Sequence, residues 1–194
     1  MNENDLRVIK TRENIETTFL ELLDKKSFSQ ITIGELISTC RISKGTFYYH
    51  YKDKYDLAEK LLKKQLAIYD EIFIRSRQTT AQSIANIEPL VSTLVNAAQI
   101  FHKLSAIQSS EFDARKECTD FLVNKFLAFI SQCDDSTIKN PYQVARYLAA
   151  IVIAEAEMVS TGEAEAGPKF FETMQELAYF INYLQTGSIT HSAE

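Results

Sequence analysis

The stretch Ser43-Lys44-Gly45-Thr46-Phe47-Tyr48-Tyr49-His50-Tyr51-Lys52-Asp53-Lys54 gathers hydroxyls, ammonium groups, an imidazole and phenols within twelve residues. Ser43 suits a helix N-cap, because its hydroxyl can accept a free backbone N–H of the first turn. A helix begun there sets Phe47 and Tyr51 four residues apart on one face. Gly45 and Tyr49 fall on the opposite face, flanked by Thr46 and Tyr48. Lys44 lies in the first turn, where the helix dipole disfavours a cation. One side can therefore dock on a core while the other offers donors to an anion. The phosphate backbone along a DNA major groove fits that chemistry.

Other chemistries lack their residues. None of His50, His102 and His191 has a glutamate three positions before it, so the Glu-x-x-His metal motif of helical bundles is absent. There is no Gly-rich phosphate loop and no nucleophile elbow. An enzyme is not expected, and neither a cofactor nor a metal is implied. Cys40, Cys118 and Cys133 are odd in number and form no Cys-x-x-Cys pair, which reads as reduced thiols in a cytosolic protein. The polar start shows no secretory signal. The longest apolar run, Tyr147 to Ala154, is too short to span a bilayer. A soluble, cytoplasmic protein without a membrane partner is expected.

Five Gly and three Pro in 194 residues leave little material for hairpins, and apolar residues repeat every three or four positions. The expectation is an all-α chain. A first helix from about Asp5 to Lys25 carries Ile15, Phe19, Leu22 and Leu23 on one face. Arg7, Lys10 and Arg12 near its start could reach a phosphate or simply keep the surface soluble. Residues 26–31 break the period into a loop. Thr32-Ile33-Gly34-Glu35 reads as a capping box, Thr32 covering the Glu35 amide and Glu35 reaching back. The short helix it opens, Ile33 to about Cys40, turns through Arg41-Ile42 directly into Ser43. Two short helices joined this way make a helix-turn-helix. Asp53 then caps a fourth helix to about Arg75, with Asp56 at its N3 position.

Net charge is −5 overall, but it is unevenly spread. Residues 1–64 hold 12 Lys/Arg against 10 Asp/Glu, and residues 65–194 hold 9 against 16. Within residues 41–64 the balance is 7 against 3, so positive charge concentrates around the aromatic stretch.

This order closely resembles the TetR (tetracycline repressor) family of bacterial transcription regulators: a long helix, a threonine-capped short helix, then Ile-Ser-Lys-Gly-Thr-Phe-Tyr-Tyr-His-Tyr-Lys-Asp-Lys-Tyr-Asp-Leu. The likeness covers about residues 5–64. It implies a homodimer with two recognition helices in successive major grooves of a double-stranded operator. It implies that Thr32 touches a phosphate, that Lys44 and Gly45 approach bases or backbone, and that Tyr48, Tyr49, His50 and Lys54 meet phosphates or bases. Ser43 and Thr46 belong to the same reading face, while Phe47 and Tyr51 match core positions. Where many members carry glycine, this chain has Arg41. Either that residue is left-handed, at a cost of about 1 kcal/mol, or the turn is reshaped.

The division expected is a DNA-binding domain over residues 1–52, with the start of the fourth helix to about 64, and a helical regulatory and dimerisation domain over 53–194. Beyond Arg77 the resemblance is architectural. Residues 78–87 are a weak polar patch. Pro89 starts a helix to about Ile107, Thr119 or Asp120 caps one ending near Cys133, and Asn140-Pro141 opens another to about Thr161. Tyr147–Ala154 is apolar all round and needs cover on both sides. Pro168 opens a last helix in which Phe170, Met174, Leu177, Ile181 and Leu184 make a heptad-like seam. With Ile151 these are the candidate dimer residues. Family members usually hold a small-molecule pocket between central helices, for which His102, Arg115, Tyr147 and Glu155 are the candidates. The function expected is a ligand-responsive repressor on a pseudo-palindromic operator. The alternative is a TetR-like coactivator or assembly factor whose C-terminal domain binds a protein.

Overall fold

A side-chain cap begins most of the described helices. The computed structural model describes residues 5–77, 88–107, 109–131 and 138–164, apart from the side chains of 72–77, 88–92 and 94. Asp5 accepts from the Arg7 amide at 2.9 Å and opens α1, Leu6–Leu23. Thr32 accepts from the Glu35 amide at 3.1 Å and opens α2, Ile33–Cys40. Ser43 accepts from the Thr46 amide at 3.0 Å and opens α3, Lys44–His50. Asp53 takes the Tyr55 and Asp56 amides, both at 2.8 Å, at the start of α4, Lys54–Arg77. Each side-chain oxygen satisfies a donor that the helix itself cannot. α5 spans Glu88–Ser105, α6 Ala114–Ile130 and α7 Pro141–Thr161, and no described residue lies in a β-strand.

Four local expectations are corrected. Glu35 does not complete a reciprocal capping box, because its carboxylate meets the Lys26 ammonium at 2.6 Å instead. An ion pair competes well against a neutral amide for that carboxylate. The loop over 26–31 holds a 3-10 turn, Phe28–Gln30, that buries Phe28. α6 starts earlier than Thr119, capped by Asp113 on the Lys116 amide at 2.9 Å. Ala114 and Cys118 are buried there, so packing extends the helix past the point where periodicity fades. It ends at Ile130 rather than near Cys133.

α7 follows its signals closely. Asn140 caps it, Pro141 occupies its first turn, and Gly162 closes it in the left-handed region at φ 78°. Its apolar middle is covered on one side: Ala145, Ala149 and Ile153 are buried, whereas Tyr147, Ala150 and Ala154 remain exposed. The expected polar patch at 78–87 and the last helix from Pro168 lie outside the described residues. So do Phe170, Met174, Leu177, Ile181, Leu184 and Cys133.

One core runs through the chain. Ile15, Phe19 and Leu22 of α1, Leu36 of α2, Phe47 of α3 and Leu57, Leu61 and Leu62 of α4 join Phe101 and Leu104 of α5. α6 and α7 extend it through Cys118, Leu122, Ala149 and Ile153. Each large side chain fully buried there contributes roughly 1.5–3 kcal/mol. The packing is continuous across the expected boundary near residues 52–64, and Lys103 of α5 meets Asp24 beyond α1 at 2.7 Å.

Candidate nucleic-acid interface

α3 divides its side chains as the four-residue spacing of Phe47 and Tyr51 predicts. Phe47 and Tyr51 are buried, their rings 5.9 Å apart, and they bolt the helix to the core. Ser43, Lys44, Gly45, Tyr48 and Tyr49 are exposed, and Thr46 and His50 are half-buried. Tyr48 and Tyr49 are 46% and 50% accessible and stand side by side at the surface. Lys44 Nζ stands 5.9 Å over the Tyr48 ring, so the ammonium and the phenol reach outward together.

The hydroxyls are arranged to spare a proton. Ser43 Oγ and Thr46 Oγ1 are 2.8 Å apart. One of their two protons bridges the pair, and the other is left to donate. Thr32, exposed at the start of α2, accepts from the Glu35 amide and keeps its own proton. Gly45 has a plain reading too. A Cβ added there would meet nothing nearer than Ser43 Oγ at 3.8 Å. The fold does not require glycine at this site, so the missing methyl leaves room for something outside the protein.

Arg41 takes the left-handed conformation, φ 55° and ψ 44°, and is the one non-glycine at positive φ among the described residues. Its amide donates to Ser38 at 3.2 Å and the Ile42 amide to Ile37 at 3.1 Å, which closes α2. Asn14 Nδ2 then donates to the Cys40 carbonyl at 3.0 Å, tying this end to α1. The turn thus keeps the glycine-type shape with arginine in it.

Lys54 sits differently from its expected role. Its ammonium donates to the carbonyls of Phe28 at 2.8 Å, Ile31 at 3.0 Å and Ser29 at 3.4 Å, and lies 4.4 Å from the Phe28 ring centroid. Its three protons are used inside the protein, where they clamp the start of α4 to the α1–α2 loop.

The far end of α3 is held by charge. Tyr51 Oη donates to the buried Glu16 carboxylate at 3.1 Å, which also takes Lys64 Nζ at 2.7 Å. Burial first, and then the Glu16 charge, raise the Tyr51 phenol far above the ordinary range. Lys60 Nζ donates to the His50 carbonyl and to Asp56, both at 2.9 Å. His50 is held below its ordinary value, by burial and then by the Arg12 and Lys60 charges. The sequence marked Arg12 only as one of three basic residues on α1 and gave Lys60 no role. Nothing in helical spacing foretells which turn of α1 meets the end of α3.

The ligand candidates do not converge. His102 and Tyr147 are exposed, Glu155 is half-buried, and the exposed Arg115 pairs with Glu157. None lines the narrow apolar slit between α4, α5, α6 and α7. That slit is bounded by Tyr69, Phe101, Cys118, Leu122, Val152, Ile153 and Ala156. Burial pushes the Cys118 thiol up to about 12, so it sits there as a neutral apolar group. Spacing missed these residues because they read as ordinary core. Ile151 is half-buried on α7.

Residues 19–61 match the sequence profile of bacterial regulatory proteins, tetR family. Two relatives from Bacillus subtilis (strain 168) bear the description uncharacterized HTH-type transcriptional regulator. YxbF is 32% identical over 95 residues and YerO 35% over 89. These stretches cover 48% and 46% of this chain but 25% and 27% of the relatives. The chain thus spans about a quarter of the length of the curated relatives it matches. A solved gamma-butyrolactone receptor (ArpA-like protein) is 20% identical with a TM-score of 0.45, over 79% of this chain and 85% of that one. No described helix is long and apolar enough to cross a membrane. The stretch that the profile matches is the one that the structure builds as α2 and α3, so residues 19–61 form a helix-turn-helix similar to that of the tetR family of bacterial regulatory proteins.

Proposed function

We propose that the protein is a sequence-specific DNA-binding transcriptional regulator acting as a dimeric repressor on a pseudo-palindromic operator. The observation that carries this reading is the split of α3, with Phe47 and Tyr51 anchored in the core and Lys44, Gly45, Tyr48 and Tyr49 presented to solvent. Phosphates would be met by Thr32, Ser43 or Thr46, and His50, which fix register. Lys44 with Tyr48 or Tyr49 would reach base edges, and Gly45 would let the backbone approach. The uncovered Tyr147–Ala154 face of α7 and the heptad-like seam from Phe170 to Leu184 support a homodimer. Its two-fold axis would set half-sites ~34 Å or somewhat further apart.

An effector entering the α4–α7 slit would have to part those helices, so its binding and the placing of the reading heads would be one equilibrium. Such a ligand would be small and largely apolar, given the lining.

In vitro selection of duplexes on the purified protein tests the reading, and a symmetric consensus is expected. Lys44→Ala and Tyr48→Ala should each weaken binding to that duplex about tenfold or more, at roughly 1–3 kcal/mol per base contact, and leave the dimer intact. Unchanged affinity in both variants by gel-shift titration would sink the assignment. Binding seen only with a second protein present would favour a coactivator or assembly factor.

A further inference from the structure

Three basic side chains from three helices come together at the C-terminal end of α3, at the opposite end from Lys44. His50 ends the helix, Lys60 arrives from α4, and Arg12 arrives from α1. Lys60 Nζ uses two of its protons, on the His50 carbonyl and on Asp56, and lies 5.2 Å from the Tyr51 ring centroid, so its third proton has no hydrogen-bond acceptor among the described residues. Arg12 is exposed and forms no ion pair among the described residues, yet it lies close enough for its charge to act on both His50 and Tyr51. The carboxylates nearby are already engaged: Glu16 by Tyr51 and Lys64, and Asp56 by Lys60 and the Lys52 amide at 2.9 Å. The rings of Tyr49 and Tyr51 flank the imidazole, with centroids 5.0 and 6.1 Å from it.

We propose that Arg12, His50 and Lys60 form a second phosphate grip at the C-terminal end of α3, and that DNA binding there loads a proton onto His50. The proposal rests on the DNA-binding reading and deepens it. Without DNA, burial and the Arg12 and Lys60 charges outweigh the opposing charge of Glu16, which Tyr51 and Lys64 already engage, so protonation of the imidazole is disfavoured. A phosphate seated among the three groups reverses that balance, because an adjacent opposite charge favours the protonated form. Free His50 titrates below the ordinary imidazole range, and in the complex it titrates higher. Between those two values the complex holds more protons than the free protein, so affinity falls as pH rises through the window. Below the window both states are protonated and above it neither is, so the dependence flattens at both ends.

The test uses the full chain and the duplex it selects. Affinity measured from about pH 5.5 to about pH 8.5 at constant salt should fall about tenfold per reading head for each unit by which the complex raises the imidazole. Binding heats at one pH should differ between buffers of high and low ionisation enthalpy, which counts the proton directly on the unmodified protein. His50→Gln should flatten the profile. Arg12→Ala should reduce the slope of log affinity against log salt by about 0.9 per reading head with an unchanged melting curve. Equal heats in both buffers, or an unaltered salt slope in Arg12→Ala, would overturn the grip while leaving the DNA-binding reading standing. Failure to select any duplex would remove both.

Discussion

Two residues of the helix-turn-helix carry a local cost in stability, and each can be tested by one substitution. Gly45 lies inside α3, where an added Cβ would fit without strain, 3.8 Å from Ser43 Oγ. Helical glycine costs ~0.5–1 kcal/mol against alanine, so Gly45→Ala should raise the melting temperature. The same methyl would stand between the helix and DNA, so operator affinity should drop. A variant that is more stable and binds equally well would show that the space has no DNA-facing role. Arg41 poses the converse case, a side chain held at φ 55° where glycine is unstrained. Relief of left-handed strain, less the added freedom of the unfolded chain, should make Arg41→Gly more stable by about 0.5–1 kcal/mol. Thermal or denaturant unfolding measures it, and a loss of stability would mean that the guanidinium makes a compensating contact.

At the scale of elements, α3 is too short to stand alone, and its position is set by what grips its two ends. The N-terminal end is held by the Arg41 turn and by Asn14 on the Cys40 carbonyl. The C-terminal end is held by Glu16, which joins α1, Tyr51 and Lys64 of α4 through one buried carboxylate. Tyr51→Phe keeps the ring packing and removes only the hydroxyl. It should cost about 1–3 kcal/mol, since a hydrogen bond to a buried charge is lost. Operator affinity should fall more than in a surface variant of equal stability, because the reading helix loses its fixed tilt. Chemical denaturation and gel shift together check this, and wild-type values in both would remove Glu16 as a joint. Lys54 works in the same way at the α4 start, using its ammonium on three loop carbonyls.

On the scale of the whole molecule, the helix-turn-helix and the helices that follow it share one core among the described residues. Leu104 of α5 is fully buried in the same cluster as Phe19 and Leu57. Leu104→Ala should cost about 2–5 kcal/mol and should speed amide exchange in α3 as well as in α5. Exchange confined to α5 would show that the two parts unfold separately. A shared core also means that any change in how α5 packs must be felt at α1, where Lys103 and Asp24 add a charge contact. That exposed pair is worth at most ~1 kcal/mol, so packing carries the coupling.

What the sequence determined by itself was local. Thr32, Ser43, Asp53 and Asn140 mark helix starts because an N-cap is a one-turn interaction. Phe47 and Tyr51 are anchors because a four-residue spacing selects one helical face. The α6 start was misplaced, since burial of Ala114 and Cys118 by other helices, not their own propensity, extends that helix. Tertiary structure alone decided the partners: Glu35 on Lys26, Lys54 turned inward, Glu16 beneath Tyr51, Arg12 beside His50. It also decided that His102, Arg115, Tyr147 and Glu155 do not meet, while Tyr69, Phe101 and Cys118 line the slit. The physical reason is range. Caps and faces are set within four residues, whereas a charge contact such as Glu16 with Lys64 joins positions that only the packing of helices brings together.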